Sequence, residues 1–400
     1  MNEEGNILNS IITVNHNDCL SCRACELSCP KNAIDMVENE EGFLYPNING
    51  NCIECGVCRK KCPIITHSPF RQDKTSYLVQ NKDTKVLKKS TSGGFFRAIG
   101  DEIIDSNGVV FGAAYDEQLN VYQKKVVKKE DLKDLQGSKY VESDTKDSYK
   151  DVKKLLEDGV NVLYTGTACQ IAGLNSFLGK EYENLITVDI ICHGVPSRKL
   201  FHAYCDYRTR KFNDELKNVI FRDKESSGWT ARNTKIIFIG KAKKKYVRGI
   251  LDPYFAAFIR GETYRESCYK CLYQNSLFYR PADFSIGDFF EIDKVAPEKN
   301  NKLGLSLVIV NSNKGRRVFE LIKDKVYFEK IKEEDYLYIK SNIIVPSSRP
   351  IGRNNIYENI DSLDYYNSYK ESKWWYRIKW YSIESLKKMY SIIKFVIRKK

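Results

Sequence analysis

The chain has 400 residues, 42% of them hydrophobic and 29% charged, with a formal net charge of +13. That balance excludes a disordered polymer and leaves room for two or three packed domains. No apolar run approaches the ~18 residues that would cross a bilayer, and Met1-Asn2-Glu3-Glu4-Gly5 lacks the basic and apolar stretches of a signal peptide, so a cytoplasmic chain is expected. Thirteen cysteines in such a chain point to metal or redox chemistry rather than to a disulfide framework.

The first stretch repeats itself. Cys19, Cys22, Cys25 and Cys29 precede Pro30, and Cys52, Cys55, Cys58 and Cys62 precede Pro63. Each half is C-x-x-C-x-x-C-x-x-x-C-P, the run that holds a 4Fe–4S cubane in two-cluster bacterial ferredoxins, with the fourth cysteine aimed at the other cluster. Structural zinc usually shows two separated C-x-x-C pairs instead. Residues 1–67 are therefore expected as a two-cluster domain, with short strands at Ile11–Val14 and Ala33–Val37. His16, His67 and His202 have no supporting context and read as surface or satisfied side chains.

A polar linker, Ser68 to Lys74, leads to a stretch taken as 75–150. Tyr77-Leu78-Val79 reads as a strand, and Ser92-Gly93-Gly94 opens a helical pattern through Phe95, Ile99 and Ile103. A turn at Asn107-Gly108 precedes the strand Val109–Ala113. From 151 to 345 strand and helix periods alternate as in α/β domains. Val160–Tyr164 and Leu185–Ile191 read as strands, followed by helices beginning at Gly166-Thr167 and at Pro196-Ser197. Ile236–Ile239 and Tyr246-Val247 read as a hairpin, Leu305–Val310 as a strand and Gly315–Ile322 as a helix. Residues 346–400 form a basic, aromatic tail with Trp374, Trp375 and Trp380 and an amphipathic pattern over Lys387–Lys400.

Cys169, Cys192, Cys268 and Cys271 lie outside the duplicated run. Two readings stand: they converge on a third cluster, or Cys169 and Cys192 are small buried hydrophobes beside a lone C-x-x-C pair. Cys205, inside a helical pattern, reads as packing. The loops Ser92-Gly93-Gly94 and Gly166-Thr167 sit where a strand meets a helix, so either one cradles a dinucleotide pyrophosphate or simply caps its helix. His193 is a candidate proton donor beside a redox centre. Asp283 and Asp288 bracket what reads as a turn and serve either a ribose, a redox potential or a cap.

Six ordered motifs then carry a resemblance. They are Ser90–Phe96, Gly137–Val141, Gly166–Leu174, Asp189–Ser197, Cys268-Tyr269-Lys270-Cys271 and Ala282–Phe289. Over about residues 10 to 330 the chain resembles the coenzyme F420 hydrogenase/dehydrogenase beta subunit family, behind a two-cluster ferredoxin domain. The implied architecture is α+β: a bacterial-type ferredoxin domain, an α/β flavin and iron–sulfur part, and a basic helical tail. The resemblance implies an oxidoreductase holding FAD beside a 4Fe–4S cluster, with Cys169, Cys192, Cys268 and Cys271 as its ligands. It implies the Ser92–Gly94 and Lys139-Tyr140 loops as candidates for the flavin. Ala168 stands where the family usually has proline, and Phe290 where tryptophan is common. Expected partners are a redox protein or subunit and a hydride carrier such as a deazaflavin or a nicotinamide. A flavin-free electron-carrier subunit, linked to polysaccharide biosynthesis, is the alternative. For the tail, an anionic inner-membrane surface or a partner subunit is favoured over nucleic acid, with a helix packed on the core close behind.

Overall fold

The computed structural model describes residues 10–66, 74–229, 235–274, 280–289, 292, 303–332 and 345–360. The expectations for His67, Phe290 and the aromatic tail from Trp374 onward lie outside these residues.

The cysteine-rich start is built almost wholly of turns. Each half of the repeat ends in a one-turn helix, Ala24–Leu27 in the first and Val57–Lys60 in the second. Ser21 and Arg23 take positive φ, and so do Glu54 and Gly56 at the matching positions of the second half. Three of the four are not glycine, and such a backbone persists only where its surroundings over-determine it. Between the halves lies one hairpin, β1 (Ile34–Glu38) against β2 (Leu44–Ile48). The expected strand at Ile11–Val14 is instead a 3-10 turn, Ile11–Thr13, in which Ile11 packs among Cys25, Cys58, Cys62 and Ile34 of the hairpin.

Among the described residues eight strands form one mixed sheet in the order β13-β3-β12-β11-β7-β6-β4-β5. These are β3 (Thr75–Asn81), β4 (Val109–Tyr115), β5 (Val121–Val126), β6 (Val162–Thr167), β7 (Leu185–Ile190), β11 (Phe284–Asp288), β12 (Ser306–Val310) and β13 (Val326–Ile331). The middle four, β11, β7, β6 and β4, run parallel, and antiparallel strands finish both edges. The boundary expected at 150/151 falls inside this sheet. β11 corrects the turn read between Asp283 and Asp288: Phe284 and Ser285 are fully buried and pair with both β7 and β12.

A second, three-stranded sheet, β8 (Leu216–Asp223), β9 (Lys235–Gly240) and β10 (Lys244–Arg248), carries the expected hairpin. The helix Arg198–Phe212 covers it, and Cys205 lies in that aromatic core. Ile356 and Tyr357 of the helix Arg353–Glu358 join the same core, so the start of the C-terminal segment is packed against the body. Among the described residues no helix is long and apolar enough to cross a membrane.

One helix differs from the others. Phe95–Asp105 and Ser148–Glu157 bury one face each, at i, i+3, i+4 spacing. Ala168–Leu178 buries Ala168, Ile171, Ala172, Gly173, Leu174 and Leu178, because the sheet lies on one side of it and the cysteine loops on the other.

Candidate iron–sulfur centres and the adjoining polar site

All thirteen cysteines are free thiols. Cys19, Cys22, Cys25 and Cys62 line one cavity of about 560 Å³. Cys29, Cys52, Cys55 and Cys58 line a second of about 350 Å³. Each cavity thus takes three thiols from one half of the repeat and the fourth from the other, the exchange that a two-cluster ferredoxin run requires. A zinc ion would draw four sulfurs to within ~3.8 Å of one another, given Zn–S bonds of about 2.3 Å. Among the described residues no group of three or more His, Cys, Asp or Glu side chains converges on a single-ion point. The donor set, four cysteine thiols to each cavity, fits cubanes. Burial, with the neighbouring Cys62 and Cys19 thiols adding to it, pushes Cys22 up to about 12. A cluster entering here must displace thiol protons.

The second cavity is the outer one: Cys55 is exposed and Ile53 beside it is 59% exposed. The first faces inward. A Cβ on Gly173 would lie 2.6 Å from Cys22 Cβ and 3.1 Å from its Sγ, so only glycine lets the helix approach this closely. Cys169 sits one turn earlier on the same face of that helix, and its thiol interacts with Cys22.

Cys169 is the second residue of the helix that follows β6, Cys192 lies just past β7, Cys268 sits within the 3-10 turn Glu266–Lys270 and Cys271 caps it. The fold brings all four together. Burial raises each thiol first, and Cys268 is raised further by Cys192, Cys271 and Cys169. Cys192 stands near 12. Backbone shapes the pocket: the Gly194 amide lies 3.3 Å from Cys192 Sγ. Gly194 has φ +137°, and a Cβ there would strike the Tyr264 ring at 2.4 Å. Behind the pocket Arg280 is buried against Asp189 and donates to Ser285 Oγ at 2.8 Å and to the Tyr273 carbonyl at 2.9 Å. Its charge holds Cys192 and Cys271 down against the effect of burial. The Tyr273 ring stands among Cys169, Cys22, Cys271 and Cys62, between this set and the inner cavity. Neither Arg280 nor Tyr273 carries a signal in a single sequence, since a buried arginine and a surface one look alike there.

The remaining candidates divide. Thr167 joins Gln170 in a capping box and lies 3.0 Å from Cys169 Sγ, so Gly166 and Thr167 belong to the third cysteine set. Gly93 donates its N–H to Ser306 Oγ at 2.9 Å, and a Cβ there would meet the Val79 carbonyl at 2.1 Å. The Ser92 carbonyl accepts from Lys224 Nζ at 2.8 Å, and Gly94 caps the next helix at φ +76°. Lys139 turns onto the carbonyls of Asp134 and Gln136, and burial lowers it to about 7.

Tyr140, His193 and Asp288 meet around Arg222, which is ion-paired with Asp288 and donates to the Trp229 carbonyl at 2.9 Å. Tyr140 packs on Phe258 with centroids 4.5 Å apart, and His193 lies 6.2 Å from the same ring. Burial lowers Lys224 to about 8, with Asp288 opposing that shift. Asp283 is structural: it accepts from the Thr187 amide and hydroxyl, both at 2.9 Å, and from Ser312 Oγ at 2.5 Å.

No curated protein matches this chain. Among solved structures, a chain of the xenon-derivatised F420-reducing [NiFe] hydrogenase complex from Methanosarcina barkeri is 15% identical, covering 77% of this chain and 92% of its own, with a TM-score of 0.43. Residues 18–66 match the 4Fe–4S dicluster domain. Residues 159–335 match the C terminus of the coenzyme F420 hydrogenase/dehydrogenase beta subunit. The chain thus carries a 4Fe–4S ferredoxin-like domain ahead of a region related to the C terminus of the coenzyme F420 hydrogenase/dehydrogenase beta subunit, the make-up of an iron–sulfur protein of the oxidoreductase type.

Proposed function

We propose that this chain is an iron–sulfur flavoprotein subunit that exchanges electrons between a hydride carrier and a one-electron partner. The observation that carries the reading is the closeness of Cys22 to the Cys169 helix, which Gly173 makes possible. It supports a relay of three centres: an outer one on Cys29, Cys52, Cys55 and Cys58, an inner one on Cys19, Cys22, Cys25 and Cys62, and a third on Cys169, Cys192, Cys268 and Cys271. One-electron exchange with a redox partner then belongs at the exposed Cys55 edge.

FAD, when bound, supplies the step that divides an electron pair into single electrons. The chain's own residues would hold it beside Cys192. Arg222 and Lys224 offer cationic groups to an electron-rich ring or a phosphate, Tyr140 offers an aromatic wall, and Asp288 fixes the Arg222 guanidinium. His193, next to Cys192, would hand over a proton. The hydride partner is F420-like or a nicotinamide.

A flavin-free electron-carrier subunit is the second reading. It is favoured by the Ser92–Gly94 loop, whose Gly93 N–H is already bound to Ser306. Anaerobic purification with iron, sulfide and flavin quantitation decides between them. The relay predicts about twelve irons and one FAD per chain. Iron without flavin selects the second reading, about eight irons removes the third centre, and stoichiometric zinc overturns both.

A further inference from the structure

Arg265 stands three residues ahead of Cys268, yet its guanidinium reaches into the ferredoxin-like half. Nε donates to the Cys19 carbonyl at 2.8 Å, and one terminal nitrogen donates to the Leu44 carbonyl at 2.7 Å. The other terminal nitrogen pairs with Glu142 at 3.2 Å. The guanidinium lies 4.0 Å from the centroid of Tyr45, whose other neighbour is the stacked His16 ring. Its own amide donates to the Val195 carbonyl at 3.0 Å, just past Cys192-His193-Gly194. The residue is 1% exposed.

The Cys19 and Leu44 carbonyls need donors, but a neutral amide could serve them without desolvating two charges. A cluster that accepts an electron gains one negative charge. A fixed cation in a water-excluded site favours that reduced state, and a carboxylate nearby disfavours it. Cys19 and Tyr45 both line the inner cavity, so the pair sits against its wall.

We infer that Arg265 and Glu142 form a buried charge pair that sets the reduction potential of the inner centre, with Arg265 as the positioning residue tying Cys19 to the Cys268 segment. The inference rests on the reading that Cys19, Cys22, Cys25 and Cys62 hold a cluster. The test uses the full chain, loaded anaerobically, with each centre followed by EPR during a potentiometric titration. In R265Q the inner centre becomes harder to reduce, its reduced-to-oxidised ratio at fixed potential falling about tenfold, or about 59 mV for one electron. In E142Q, which keeps the side-chain shape, the ratio rises by a similar factor. The outer centre stays in place in both variants.

Full iron loading with an unmoved inner centre in E142Q overturns the inference, whether or not R265Q folds. A shift of the same sign in both variants also overturns it, since loosened docking, rather than charge, would produce that. A wild-type chain that binds no iron removes the underlying reading, which an unmoved potential does not.

Discussion

The duplicated run and the third cysteine set use the same ligand in opposite ways. In the run eight thiols lie within one short segment, and left-handed residues at Ser21, Arg23, Glu54 and Gly56 bend the loops around two cavities. The third set spans Cys169 to Cys271 and exists only where β6 and β7 end side by side. The first kind of site is specified by local spacing and can organise around its clusters. The second is specified by topology, so the sheet must form before the thiols meet. Charge follows the same division. The run's own charges, Arg23 with Glu26, are partly exposed and its buried pair, Arg265 with Glu142, comes from outside it, whereas the third set has a buried pair, Arg280 with Asp189, directly behind it.

Breaking that pair gives the largest expected effect. Arg280→Met strands Asp189, whose carboxyl burial already raises, and removes the cation that favours the Cys192 and Cys271 thiolates. The chain should lose about 3–5 kcal/mol, the usual cost of removing one member of a buried pair. Iron per chain should fall from about twelve to about eight, leaving the two ferredoxin-type centres. Equal loss from all three centres would show that the two kinds of site are not independent. Gly173→Ala comes next, because it forces a methyl group against Cys22 and the Tyr149 hydroxyl, at 2.6 and 2.9 Å. Overpacking of this kind costs about 2 kcal/mol. The inner centre's EPR signal should change while the outer one is unaltered; a change in the outer signal alone would contradict the assigned order.

What could be read beforehand follows the same line. The eight-cysteine run was legible because its chemistry is written in spacing, and most parallel strands were legible because they are short apolar runs between turns. β11 was missed: Ser285 and Gly287 interrupt its apolar pattern, and Gly287 is there because Ile191 lies against it, with Cδ1 2.8 Å from a built Cβ. β13 escaped notice because four of its six residues are exposed on an edge strand. Asp283 and Asp288 looked equivalent in sequence, yet one pins the β7 and β12 segments and the other faces Arg222. Arg222, Lys224, Arg265 and Arg280 carry the electrostatics of the sites, and nothing local distinguishes them from the many lysines and arginines at the surface.

The smallest effect concerns the seam between the two regions. Asp144, after β5, accepts from Arg23 Nε at 2.6 Å and from its terminal nitrogen at 3.0 Å, while Arg198 approaches at 3.4 Å and also reaches Glu38 at 3.0 Å. Burial pushes the Asp144 carboxyl up, but the hydrogen bond and charge of Arg23 overcome it, and the group lies below its ordinary 3.8. A depressed folded value means that the contribution to stability is fully present above pH 3.8 and is lost as the pH falls through the lower folded value. Asp144→Asn should therefore cost about 1.5 kcal/mol at neutral pH, a charged hydrogen bond exchanged for a neutral one. The gap between wild type and variant, measured as melting temperature on the iron-free chain, should then close as the pH drops below about 3.8. A gap that stays constant across that range would mean that the seam is held by shape, with the Arg23–Asp144 charge contributing nothing to the docking of one region on the other.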